Sequence, residues 1–158
     1  MVKKSEPACR QLLRRARDGV ARSRRTLAVS YQAQTRLLHA FLRAANEGKV
    51  EDLVELLADD AIFVADGGRE GVRIGGVRNV GRPVRGRRRI AALVASLARR
   101  APAGLERRAC ELNGQPAIVA FLAGRPVFAV LLAVADGRIE QVFVHADPAR
   151  LSHVGALH

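Results

Sequence analysis

Three side chains in the sequence could take part in proton transfer: Asp66, His39 and His145. Enzymes that isomerise or cyclise small carbonyl compounds pair a carboxylate base with an oxyanion-stabilising donor inside an apolar pocket. Asp66 is followed by two glycines, which favours a turn over a pocket. His39 lies in a predicted helix, and His145 ends a predicted strand without an obvious acid partner. We therefore predict no catalytic residue and no isomerase or cyclase activity.

The spacing of other polar residues argues against a metal or a nucleotide cofactor. No group of His, Cys, Asp and Glu has a spacing typical of zinc sites. The sequence contains neither GxxxxGK[ST] nor a GxGxxG that opens a helix after a strand. Cys9 and Cys110 are far apart and are interpreted as reduced thiols. We expect no metal and no cofactor.

Positive charge is concentrated in two segments of this chain of 158 residues and formal net charge +12. Residues 1–25 contain nine Lys or Arg and two acids, and residues 69–89 contain eight Arg and one acid. The rest of the chain is slightly acidic. Basic segments of this kind attract phosphate or an acidic protein surface. Arginine-rich solvated faces with no binding role are the alternative interpretation.

Apolar periodicity and capping residues divide the first two thirds of the chain into helices and one strand. Gly48 suits the left-handed position that ends a helix. The predicted order is a helix over 5–25, a linker over 26–29, a helix capped by Ser30, a short helix from Val50 to Leu57, a strand over 61–65, a mobile loop over 69–82 with one possible edge strand, and a helix through Ile90 and Leu97. Asp59-Asp60 is predicted as a turn.

The last third of the chain is predicted to be a meander of four strands. They lie near 105–112, 116–123, 126–135 and 138–146, separated by Asn113-Gly114, Gly124-Arg125 and Asp136-Gly137. Asn-Gly and Asp-Gly favour hairpins because both turn positions need positive φ. The stretch Val127 to Val134 is apolar throughout and is predicted to be central, with both faces covered. The fold class is therefore α+β: a cone formed by a curved antiparallel sheet with three helices, preceded by one separate N-terminal helix.

Four segments of the chain resemble motifs of a known family, and they follow one another in the same order as in that family. The segment FLRAANEGKVEDLVELLADDAIFVADGG, at 41–68, resembles the start of a SnoaL-like domain, which belongs to the nuclear-transport-factor-two-like superfamily. More narrowly, it resembles the C-terminal extension of one group of extracytoplasmic-function sigma factors. Three further segments match that group: the hairpin LNGQPA at 112–117, the DPARL segment at 147–151, and SEPACRQLLRRAR at 5–17. The last is similar to the recognition helix that reads the promoter −35 element.

The resemblance implies roles for particular residues. By resemblance, DNA-binding residues would be Arg10, Gln11, Arg14 and Arg15, and regulatory contact residues would be Asp66, Gly67, Gly68, Asp147, Pro148 and Leu151. Residues 1–25 would be a remnant of the −35-binding region, and residues 30–158 the SnoaL-like domain. Arg69 and Glu70 stand where the family's glycine-rich motif tends to have Gly and Lys.

The resemblance also implies partners and a location. A SnoaL-like domain of this group would contact sigma regions or RNA polymerase, so we expect a truncated sigma-factor-like regulator in the cytoplasm. The possible alternative is a small-molecule binder or isomerase of the ketosteroid-isomerase type. No apolar run reaches the roughly 18 residues that span a bilayer, and we expect no membrane partner. A homodimer is possible.

The basic N-terminal segment predicts weak DNA binding with little sequence preference. Nine positive side chains can neutralise a few phosphates, so affinity should fall steeply as salt increases. Replacing Arg14 and Arg15 with Ala should weaken binding to all duplexes about equally and lower the salt slope. Competition between a −35-type duplex and a scrambled duplex at near-physiological salt measures this. A preference of about a hundredfold for the −35 duplex would contradict the prediction.

Overall fold

The computed structural model describes residues 29–66, 82–147 and 151. The helices over these residues are α1 (Tyr31–Glu47), α2 (Val50–Leu56) and α3 (Arg87–Arg99). The strands are β1 (Leu57–Asp66), β2 (Val84–Arg85), β3 (Glu106–Leu112), β4 (Gln115–Leu122), β5 (Arg125–Ala135) and β6 (Arg138–His145). Three predicted segments lie wholly or largely outside the described residues: the N-terminal helix, residues 26–28 of the linker and residues 69–81 of the loop. In the described part of the chain, no helix is long and apolar enough to cross a membrane.

Both ends of α1 form as the sequence predicts. The Ser30 hydroxyl accepts a hydrogen bond from the Ala33 amide at 3.2 Å, which satisfies one of the amides left unpaired at the start of a helix. Gly48 ends the helix with φ +69°, a left-handed conformation that costs a residue with a β-carbon more than it costs glycine. The apolar stripe that these caps bracket is buried, with Leu38, Phe41 and Ala44 against the sheet and the other helices.

The six strands form one curved sheet, in the order β2-β1-β6-β5-β4-β3, that does not close into a barrel. Four of the five neighbouring pairs are antiparallel, but β1 and β6 are parallel. The chain leaves β1, passes through α3 and the meander, and returns beside β1 in the same direction. The predicted α+β class with three helices is confirmed, and the sheet is antiparallel apart from this one pair.

Two turns differ from their predicted positions. The turn between β4 and β5 is Ala123-Gly124, not Gly124-Arg125, so Ala123 adopts φ +50°. Asp59-Asp60 lies inside β1, where the pairing with β6 shifts register between Leu57 and Ile62. Both carboxylates stay exposed at this irregularity. The predicted turns Asn113-Gly114 and Asp136-Gly137 form, with all four φ values positive.

The two faces of the sheet have separate apolar clusters. The helix face packs against α1, α2 and α3, and its buried residues include Phe63, Ile90 and Val142. The opposite face, here called the far face, buries Ala117, Val119, Ala129, Leu131 and Leu151. Strand β5 alternates between the two clusters, so it is central with both faces covered, as its apolar sequence predicts.

Cys110 packs at the edge of the far-face cluster. It is a half-buried free cysteine, and burial raises the pKa of its thiol. A raised thiol pKa reduces the thiolate fraction at any given pH below it, and the thiolate is the reactive form. Cys110 is therefore expected to react slowly with alkylating reagents.

Replacing Ile90 with Ala should destabilise the protein strongly. Ile90 is a fully buried residue on the inner face of α3, so the change removes apolar contacts and leaves a cavity. The free energy of unfolding should fall by about 2–5 kcal/mol. Tyr31→Ala is the control, because Tyr31 is 47% exposed and its loss should cost about 0.5 kcal/mol or less. Urea unfolding measures both; equal losses would contradict this packing.

Replacing Leu151 with Ala should loosen the far-face cluster and expose Cys110. In a Cys9→Ser background, the free energy of unfolding should fall by about 1–3 kcal/mol. Alkylation of Cys110 at pH 8 should become at least about twofold faster, because the thiol pKa moves back toward its ordinary value. Leu93→Ala, on the helix face, is the matched control and should leave the alkylation rate unchanged. An unchanged rate in Leu151→Ala would show that Leu151 does not shield this cluster.

Candidate regulatory contact site at the ends of β1 and β6

The carboxyl ends of β1 and β6 lie side by side because these two strands are parallel. Asp66, the last residue of β1, is in register with His145, the last residue of β6. The Ala146 amide donates a hydrogen bond of 2.7 Å to the Asp66 carbonyl. Asp147 follows directly. The first residues of two motifs that are about eighty positions apart in sequence therefore meet at one corner of the sheet.

Leu151 attaches the second motif to the sheet. Its amide donates a 3.0 Å hydrogen bond to the Asp147 carbonyl, the i to i−4 spacing of a helical turn. Its side chain is only 4% exposed and belongs to the far-face cluster with Leu131 and Val119. The position of Asp147 is thus fixed on one side by β6 and on the other by a buried leucine.

Asp66 and His145 are neighbours on adjacent strands, which the sequence did not reveal. Ala65 and Val144 contact the helix-face core, so strand alternation places Asp66 and His145 on the far face. Both residues are half-buried. The sequence left His145 without an acid partner, but Asp66 is its cross-strand neighbour. Both residues lie on the opposite side of the sheet from the described helices.

The interior between sheet and helices offers little polar chemistry. Among the described residues, Gln34 is the only polar side chain that is buried. His39 is exposed on α1, so it does not face the interior. The described residues also contain no group of three or more His, Cys, Asp or Glu that could hold a metal ion. A carboxylate base facing an oxyanion donor is not assembled by the described residues of the helix face.

Part of the second basic segment forms ion pairs on the surface. Arg87 lies 2.9 Å from Asp59, and Arg88 lies 3.7 Å from Glu51. Exposed pairs of this kind contribute little to stability and are easily exchanged for another anion. Arg82 and Arg89 are also exposed at the same end of α3.

The remaining predicted site residues are not described. Gly67, Gly68 and Pro148 lie outside the described residues, as do the predicted DNA-binding residues Arg10, Gln11, Arg14 and Arg15. Of the six predicted contact residues, the structure therefore places Asp66, Asp147 and Leu151, and it brings these three together at one corner.

No protein-family model matches this sequence, and no curated protein matches it. Solved structures do. The extracytoplasmic-function sigma factor SigJ of Mycobacterium tuberculosis has 23% identity and a TM-score of 0.63, over 98% of this chain and 53% of SigJ. A de novo designed protein with a curved β-sheet has 16% identity and a TM-score of 0.53, over 80% of this chain and 94% of that one. An NTF2-like protein of unknown function from Mesorhizobium loti has 18% identity and a TM-score of 0.50, over 74% of this chain and 93% of that one.

These similarities agree with the architecture described above. The fold therefore recurs in natural and designed proteins of low sequence identity to this chain. This chain spans about half the length of SigJ. The chain therefore has the α+β fold of the SnoaL-like, or NTF2-like, proteins.

Proposed function

We propose that this chain is a regulatory SnoaL-like domain of a sigma-factor-like protein, which acts through contacts with sigma regions or RNA polymerase during transcription initiation. The observation that carries the proposal is the meeting of Asp66, Asp147 and Leu151 at one corner of the sheet. Asp66 and Asp147, the first residues of two motifs that resemble those of sigma-factor extensions, thereby lie close together. The match to SigJ over 98% of the chain supports the same function.

In this proposal, the corner works as a fixed acidic contact. β1 and β6 hold Asp66 and Asp147 on adjacent strand ends, and buried Leu151 donates its amide hydrogen bond to the Asp147 carbonyl. A contact built on sheet ends loses little conformational freedom on binding, which favours specific recognition. Carboxylates held in this way suit arginine or lysine side chains of a protein partner. The proposed unit is the SnoaL-like domain 30–158, with residues 1–25 as a separate basic segment that binds DNA weakly.

The alternative function is binding or isomerisation of a small molecule. The register of Asp66 beside His145 is the observation that favours it, because a carboxylate that reached the imidazole would orient it for proton transfer. However, the two residues lie on the side of the sheet away from the described helices, whereas the described helix face is filled with apolar side chains. The regulatory function is therefore the better supported of the two.

A binding titration tests the regulatory proposal. The chain carries a fluorophore and is titrated with RNA polymerase core, and separately with the second and fourth regions of an extracytoplasmic-function sigma factor. Asp66→Asn and Asp147→Asn keep the side-chain shape but remove the charge, so the Kd should rise about tenfold or more for at least one of these partners. The matched control is Asp136→Asn, in the turn that leads into β6 at the opposite end of the strand. Asn tolerates the positive φ of that turn, so its Kd should change less than about twofold.

Two results would contradict the regulatory proposal. One is saturable binding that Asp66→Asn, Asp147→Asn and Asp136→Asn all leave unchanged. The other is turnover of a steroid enone or a polyketide above the buffer rate that is lost in Asp66→Asn, which would favour the enzyme.

A further inference from the structure

Strand β3 forms the only long free edge among the described strands. It pairs with β4 on one side and ends the sheet on the other, whereas the opposite edge strand, β2, has two residues. An edge strand presents unpaired backbone amides and carbonyls that can bind another strand. The seven residues of β3 therefore offer a template on which a second strand could pair.

The β3–β4 hairpin determines which backbone groups of β3 point outward. Its turn is Asn113-Gly114, both with positive φ, and in a two-residue hairpin the flanking residues exchange hydrogen bonds. Leu112 and Gln115 are that flanking pair. Bonding alternates along β3, so the outward groups belong to Arg107, Ala109 and Glu111. Pro116 supports this assignment. It lies opposite Glu111 and has no amide proton to donate, as suits a pair that makes no hydrogen bonds across the hairpin.

Among the described residues, two of the three outward-bonding residues of β3 have exposed side chains. Ala109, in the middle of β3 on the helix side of the sheet, is exposed, and so is Glu111. The neighbouring far-face charges are engaged within the chain: Arg108 donates a 3.0 Å hydrogen bond to Glu106 and lies 4.8 Å above the Phe121 ring. Arg107 and Glu111 remain as the charged side chains that share a face with Ala109.

We infer that a second copy of this chain pairs antiparallel with the β3 edge, about a two-fold axis that passes through Ala109. In this register Arg107 lies opposite the second copy's Glu111, and Glu111 lies opposite the second copy's Arg107. Opposite charges directly across a strand pair stabilise it, and like charges destabilise it. The small Ala109 side chains meet at the axis, where they do not obstruct the approach.

Other antiparallel registers fit less well. The outward groups must pair with outward groups, so the register can shift only in steps of two residues. One such shift places Arg107 opposite Ala109, and the other places Arg107 opposite Asn113 in the turn. Only the register centred on Ala109 pairs both charges with opposite charges. The same charges would repel many unrelated strands, which is how edge strands avoid aggregation.

The expected dimer is weak. A single strand pair buries less surface than the roughly 1,200 Å² at the lower limit of stable interfaces. Association should therefore depend on concentration, with a Kd in the micromolar range or above. The pairing would join two six-stranded sheets into one continuous sheet and leave the corner formed by Asp66 and Asp147 uncovered, because that corner lies at β1 and β6.

Sedimentation equilibrium of charge-reversed variants tests the proposal. Arg107→Glu places Glu opposite Glu, and Glu111→Arg places Arg opposite Arg, so each variant alone should dimerise at least about tenfold more weakly than the wild type. An equimolar mixture of the two variants restores both opposite-charge pairs, so it should form a heterodimer of nearly wild-type affinity. Arg36→Glu reverses a charge in the same way as Arg107→Glu, but at an exposed position of α1, and it should leave the Kd unchanged.

The mixture distinguishes misfolding from loss of strand pairing, because variants that fail to fold would not form the heterodimer. Circular dichroism of each variant provides a second check on folding. A wild-type chain that stays monomeric at several hundred micromolar would overturn the proposal. So would a dimer that persists in Arg107→Glu, or a mixture that remains as weakly associated as the separate variants.

Discussion

The parallel pairing of β1 with β6 is the interaction on which the rest of the structure depends. It is the one long-range strand contact that joins the helical first half of the described chain to the meander. The meander itself is held by local hairpins, α1 by its caps and its buried apolar stripe, and α2 by the buried side chains of Leu53 and Val54. The pairing also places Phe63 of β1 beside Val142 of β6 in the helix-face core.

The same constraint creates the candidate site. Parallel strands end at the same edge of a sheet, so Asp66 and Asp147 meet although about eighty residues separate them. An antiparallel pairing of β1 and β6 would have placed Asp66 beside the start of β6, at the opposite end from Asp147. The relative direction of these two strands thus decides whether Asp66 and Asp147 lie at the same edge of the sheet or at opposite ends.

Local sequence features predicted most of the fold. Ser30 and Gly48 bracket α1 as expected, because capping is a contact between residues a few positions apart. Asn113-Gly114 and Asp136-Gly137 form hairpins for the same reason. The β4–β5 turn moved by one residue to Ala123-Gly124, since pairing between Leu122 and Arg125 outweighs the cost of a positive φ at alanine. Asp59-Asp60 was misjudged because the bulge that contains it depends on the distant strand β6.

The candidate site was predictable only in part, for the same physical reason. Motif resemblance identified Asp66, Asp147 and Leu151, but no local pattern shows that Asp66 and His145 are cross-strand neighbours. Nor does a local pattern show on which face the end of β6 points, because the pairing with β5 skips one residue of β6 between Ile139 and Gln141.

The face of the sheet on which Asp66 and His145 lie matters for function. A carboxylate beside an imidazole on the helix face would lie in a dry interior, where proton transfer is favoured. On the far face, the same pair shares its surface with Leu151 and the exit of the chain from β6. Asp66 and His145 are only half-buried there, so water can reach them and so can a second protein surface. The side of the sheet on which this pair lies therefore favours a contact surface over a catalytic site.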